Sequence, residues 1–104
     1  MKLESRISSE SGIRQQVLDE IIGLAVKYGV KRVELFGSRA RGDYKRTSDI
    51  DLAVRGGDIP RFRLDIEEET STLLKFDIVD LDSQMQDELR ESIRREGKVL
   101  YEKV

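Results

Sequence analysis

Asp49 and Asp51 stand two positions apart in the run Asp49-Ile50-Asp51-Leu52-Ala53-Val54. On a strand, alternation puts Ile50, Leu52 and Val54 on one face and Asp49, Asp51 and Ala53 on the other. Two carboxylates so placed lie about 6.5–7 Å apart at the backbone, and their side chains can converge on one or two divalent cations. Taken alone, Asp-x-Asp is more often the solvated face of an amphipathic strand. The upstream pair Gly37-Ser38 changes that weighing. A glycine closing a strand lets the backbone approach a phosphate, and the next hydroxyl and amide can donate to its oxygens, though an ordinary strand-ending turn uses the same pair. Magnesium is usually held by one or two carboxylates plus substrate phosphates, so each half-motif makes the other more informative.

Other chemistries fit less well. Gly37 and Gly42 have the first two glycine positions of a P-loop, but Asp43-Tyr44 stands where Lys-Ser/Thr is required, and no G-x-G-x-x-G occurs. With no cysteine and no histidine, the chain has no disulfide, thiol or imidazole chemistry and none of the usual zinc sites. A catalytic group here is expected to be a carboxylate. A balance of 19 Lys+Arg against 21 Asp+Glu gives a net charge of −2 and no general attraction for duplex DNA. Arg39, Arg41, Lys45 and Arg46 cluster between the half-motifs. Of these, Arg41 is expected to contact phosphate or a partner, and the other three are read as surface. Tyr44 could stack on a base, but no weight is placed on it. The acidic run Asp65, Glu67, Glu68 and Glu69 reads as a solvated helix face.

The elements that must position these groups fit one domain over 1–104, with the polar first dozen residues expected to fray. Ile13, Val17, Ile21, Leu24 and Tyr28 recur at steps of four and three, predicting a helix that Ser11 caps and Gly29 ends. Arg32–Phe36 reads as a strand stopping at Gly37-Ser38, and the polar stretch 39–48 as a helical turn and a loop. After the Asp49–Val54 strand, Asp58 caps a helix over Ile59–Thr72 with Phe62, Ile66 and Leu73 inward. Phe76–Leu81 is a third strand. Ser83-Gln84-Met85-Gln86 is a capping-box pattern opening a last helix through Met85, Leu89 and Ile93 to Gly97, and Val99–Tyr101 adds a short terminal strand. This order predicts an α+β, α/β-like sandwich with a small mixed sheet flanked by helices. No apolar run approaches the ~20 residues needed to span a bilayer, and Met1–Ser11 lacks the apolar segment of a signal peptide, so no membrane association and a cytoplasmic location are expected.

Leu35-Phe36-Gly37-Ser38-Arg39-Ala40-Arg41-Gly42, followed after ten residues from Ser38 by Asp49 in Ser48-Asp49-Ile50-Asp51-Leu52, resembles the signature of the DNA polymerase β-type nucleotidyltransferases. More closely, the chain is similar to the minimal nucleotidyltransferases of bacteria and archaea, usually paired with a helical HEPN-domain protein. The similarity runs from the first helix to Gly97-Lys98-Val99-Leu100-Tyr101. It implies the nucleotidyltransferase fold, with Gly37 and Ser38 holding a triphosphate and Asp49 and Asp51 ligating Mg²⁺, with Mn²⁺ as the alternative ion. The family's third carboxylate falls on Asp77, which would complete the metal site and help deprotonate the attacking hydroxyl. Asp80 competes, because alternation does not settle which acid faces the site. The implied activity is transfer of a nucleoside monophosphate, AMP from ATP, to a hydroxyl with release of pyrophosphate. The implied acceptor is a side chain, a tyrosine, of a HEPN toxin, with this protein as antitoxin. Larger members carry domains that grip base and acceptor, and 104 residues leave room for neither, so a partner is expected to supply the acceptor. The rival reading is a binding subunit that neutralises or completes its partner by contact alone. Base choice and homo-oligomer formation stay open.

Overall fold

The apolar spacing of the chain resolves into two helical layers around one sheet. A computed structural model describes residues 3–104. In chain order the elements are α1 (Leu3–Ser11), α2 (Gln15–Lys27), β1 (Arg32–Phe36), α3 (Ser38–Arg41), β2 (Ile50–Arg55), α4 (Ile59–Glu69), β3 (Phe76–Asp80), α5 (Asp87–Glu96) and β4 (Lys98–Glu102). The sheet has the order β3-β2-β1-β4. β1 is antiparallel to β2 and β4, whereas β2 and β3 run parallel. A parallel neighbour needs a crossover, which α4 supplies. The result is the expected mixed sheet flanked by helices.

Both sheet faces are covered, unequally. Val33, Leu35, Ile50, Leu52, Val54, Ile78 and Leu100 belong to a large core with the apolar stripes of α2 and α4. That stripe on α2 is Val17, Leu18, Ile21, Leu24 and Ala25, the i, i+1, i+4, i+7, i+8 spacing of a buried helix face. Phe36 and Ala53 sit in a second, smaller cluster with Leu81 and Ile93, packed by Val79, Met85 and Leu89. Alternation places Asp51 on the same face as Ala53, so α5 covers the Ala53 end of that face and the aspartate end is left for polar groups.

Several expectations are corrected. Of the stretch expected to fray, residues 1 and 2 lie outside the described residues, but Leu3–Ser11 is helical. Ile7 enters the main core and Ser11 is buried, so the stretch is held by packing that local polarity does not reveal. Ser11 does not cap α2. It ends α1, its Oγ accepts from Ile13 N–H at 3.3 Å, and α2 begins after Arg14. Asp58 does cap α4, accepting from Arg61 N–H at 3.3 Å, but the helix stops at Glu69 because Thr70 turns extended, and Leu73 is fully exposed instead of core-facing. Ser83 does not open α5. Its hydroxyl donates to the Asp80 carbonyl at 2.7 Å within a turn, and the helix starts four residues later. In the acidic run, Asp65 is not solvated like its neighbours, since it accepts from Tyr28 Oη and stands 3.9 Å from Lys27 Nζ.

Candidate active site

β1 ends at Phe36, which pairs with Asp51 across the antiparallel ladder. The chain then turns through Gly37 at φ 78°, ψ −159°, a region open essentially to glycine. Space makes the same demand: a Cβ at position 37 would overlap Asp51 Oδ2. The Gly-Ser bend and the Asp51 carboxylate are therefore neighbours because residue 37 lacks a side chain. Ser38 opens the one-turn α3, which Gly42 closes in the left-handed conformation.

On the other side of β2 the parallel register puts Asp77 opposite Asp51 and Asp80 opposite Val54. Asp80 is three residues from the Asp77 rung and so on the opposite face. Its Oδ1 is also occupied, accepting from Asp82 N–H at 2.9 Å. The structure thus brings Asp49, Asp51 and Asp77 towards the end where β2 and β3 begin and leaves Asp80 at the far end of β3. Asp49 and Asp77 are exposed while Asp51 is half-buried between them. Burial raises the Asp51 pKa from 3.8 to about 6, and the charges of Asp77 and Asp49 add to the rise while Arg41 opposes it.

An excess of negative charge with oxygen donors only is the donor chemistry of a hard divalent cation such as Mg²⁺ or Mn²⁺. The three acids fit that demand. Among the described residues no three carboxylates stand at coordinating spacing.

Arg41 is engaged. Its Nε donates to Asp43 Oδ2 and its Nη1 to Glu96 Oε1, each at 3.1 Å. A phosphate reaching Arg41 would compete with those carboxylates. Lys45 and Arg46 are exposed as expected, but Arg39 is a correction: it is 2% exposed. A count of neighbouring charges cannot distinguish an inward guanidinium from an outward one, and only the adjoining Ala40, also buried, hinted that α3 has an inner face. Tyr44 stacks on that guanidinium, 4.7 Å from its carbon to the ring centre. Leu73, expected in the core, instead lines with Leu74, Lys75, Thr47 and Asp49 a groove of about 500 Å³ beside the acids, and sequence reasoning passed over Leu74 and Lys75.

Residues 19–104 match the family described as Polymerase beta, Nucleotidyltransferase. The chain is 41% identical over 59 residues to a protein of Methanocaldococcus jannaschii named "Putative protein adenylyltransferase MJ0435", a match covering 51% of this chain and 63% of that relative's length. The fold is similar to that in a crystal structure of a toxin-antitoxin with AMP-PNP, at 28% identity and a TM-score of 0.67 over 83% of this chain and 73% of that one. It is also similar to a structure described as a "putative minimal nucleotidyltransferase", at 31% identity and a TM-score of 0.61 over 78% of this chain and 86% of that one.

Proposed function

The chain belongs to the polymerase β nucleotidyltransferase family, and from that premise we propose that it transfers AMP from ATP to a hydroxyl on a protein partner. The observation that carries this reading is the convergence of the Gly37-Ser38 bend, Asp51 and Asp77 at the end of the sheet where β1 stops and β2 and β3 begin. Gly37 and Ser38 hold the triphosphate tail. Asp49, Asp51 and Asp77 hold divalent cations, Mg²⁺ with Mn²⁺ as alternative, which when bound neutralise developing charge on the attacking and leaving oxygens. Asp77 lies on the open side of Asp51 and is placed to take the proton of the incoming hydroxyl. The acceptor oxygen forms a bond to the α-phosphorus as the bond to the β-phosphate oxygen breaks, and pyrophosphate leaves. Arg41 turns from Asp43 and Glu96 towards the phosphates.

The partner is proposed to be a small helical HEPN-type toxin, acceptor through a tyrosine, with this chain as antitoxin. The toxin-antitoxin neighbour and the relative named as a protein adenylyltransferase support that choice. Incubation with labelled ATP, Mg²⁺ and the candidate toxin should label the toxin, and Asp49→Asn/Asp51→Asn should abolish labelling. No transfer to an authentic partner with any of the four nucleotides would refute catalysis. Toxin suppression surviving in the double variant would instead favour neutralisation by contact alone.

A further inference from the structure

Between Gly42 and Asp49 the backbone forms no regular element. On its C-terminal side Asp49 is tied to the sheet, since Ile50 N–H donates to the Lys75 carbonyl at 2.9 Å, but no ladder bond fixes the peptide on its N-terminal side. Arg39 supplies that constraint. Its Nε donates to the Ser48 carbonyl at 3.0 Å, and its Nη2 donates to the Arg46 and Lys45 carbonyls at 3.1 and 3.3 Å. Nη1 donates to the carbonyl of Ser11, the last residue of α1, at 2.8 Å. The Tyr44 ring covers the guanidinium, and Gly12 at φ 70° leaves room for that ring, since a Cβ there would overlap it. Ser48 tightens the same loop by accepting from Lys45 N–H at its Oγ, 2.8 Å away, and donating its own N–H to the Lys45 carbonyl at 3.0 Å.

Among the described residues no carboxylate pairs with Arg39, so this buried cation is satisfied by carbonyl dipoles and the face of the Tyr44 ring. An apolar residue of similar volume would fill the space with less desolvation, but it could not hold three loop carbonyls at fixed angles. The Ser48 carbonyl and the Asp49 nitrogen belong to one planar peptide group, so fixing the first orients the second and the Asp49 Cα with it. We infer that Arg39 is a positioning residue: its guanidinium fork clamps the loop that delivers Asp49 and thereby sets that carboxylate relative to Asp51 and Asp77. The inference rests on Asp49 being a cation ligand. Lysine keeps the charge but offers its donors from one point, so Arg39→Lys loses the fork.

The test is titration of the purified chain with Mn²⁺ alone, followed by loss of the free-ion EPR signal. It compares wild type, Arg39→Lys, Asp49→Asn and, as a control of similar instability far from the site, Phe62→Leu in the α4 core. Arg39→Lys is expected to bind Mn²⁺ about tenfold more weakly, as when a group that orients a ligand is lost, with Phe62→Leu binding like wild type. In the transfer reaction Arg39→Lys should raise the Mg²⁺ concentration for half-maximal rate and largely recover its rate at saturating Mg²⁺. Wild-type affinity in a folded Arg39→Lys would overturn the inference and leave the proposed function standing. Failure of the wild type to bind Mn²⁺ would overturn the reading of the acids themselves. Should Arg39→Lys not fold, Tyr44→Ala, which strips the cover from the guanidinium, is read by the same two outcomes.

Discussion

Asp51, a cation ligand in the proposed reading, is a side chain in which that role and stability oppose each other. It is half-buried against Gly37, and desolvation and then Asp77 and Asp49 push its pKa from 3.8 to about 6. A carboxyl raised on folding contributes stability that is fully present below its unfolded value and is lost as pH rises through its folded value. Asp51→Asn should therefore abolish AMP transfer yet stabilise the metal-free chain at pH 7.5, by on the order of 1–2 kcal/mol after allowance for solvent screening. Urea titrations in EDTA should show the gap between variant and wild type opening from about pH 4 to pH 6. A variant less stable than wild type at pH 7.5 would show that Asp51 is not a charge held at the fold's expense. The carboxylates were legible in the sequence because two acids at period two on a β-branched run name their own face. The choice between Asp77 and Asp80 was not, because it depends on parallel register across β2 and β3, a non-local quantity.

At the scale of elements, the strands and the two long amphipathic helices followed from periodicity, since each carries its burial pattern locally. The errors fell at ends and in polar stretches. Ser11 and Ser83 both have the residue type of a helix cap, yet one closes a helix and the other makes a turn; local hydrogen bonding allows either use, and packing decides. α1 was read as frayed because its polarity hides one buried isoleucine, and Arg39 as surface because the acceptors that bury it come from four separate residues. The role of α1 can be measured. Ile7 is 8% exposed and packs in the main core, so Ile7→Ala should cost about 2–3 kcal/mol in urea unfolding. A change below about 0.5 kcal/mol, the range of surface substitutions, would return α1 to the status of a tail.

Across the whole molecule, near-balanced charge means that the proposed binding rests on local features: a bend, three acids and one competed arginine. Among the described helices none is long and apolar enough to cross a membrane. Ligand that binds only the folded chain stabilises it by mass action, by about 2.7 kcal/mol at a hundred times its dissociation constant. For a chain of this size that is a rise in melting temperature of more than about 10 °C. The most direct measurement is the melting temperature of the purified chain with and without Mg²⁺ and AMP-PNP together, in wild type and in Asp49→Asn/Asp51→Asn. The account predicts a clear rise for wild type and none for the double variant, each against its own metal-free baseline. An equal rise in both, or no rise in wild type at millimolar ligand, would contradict it.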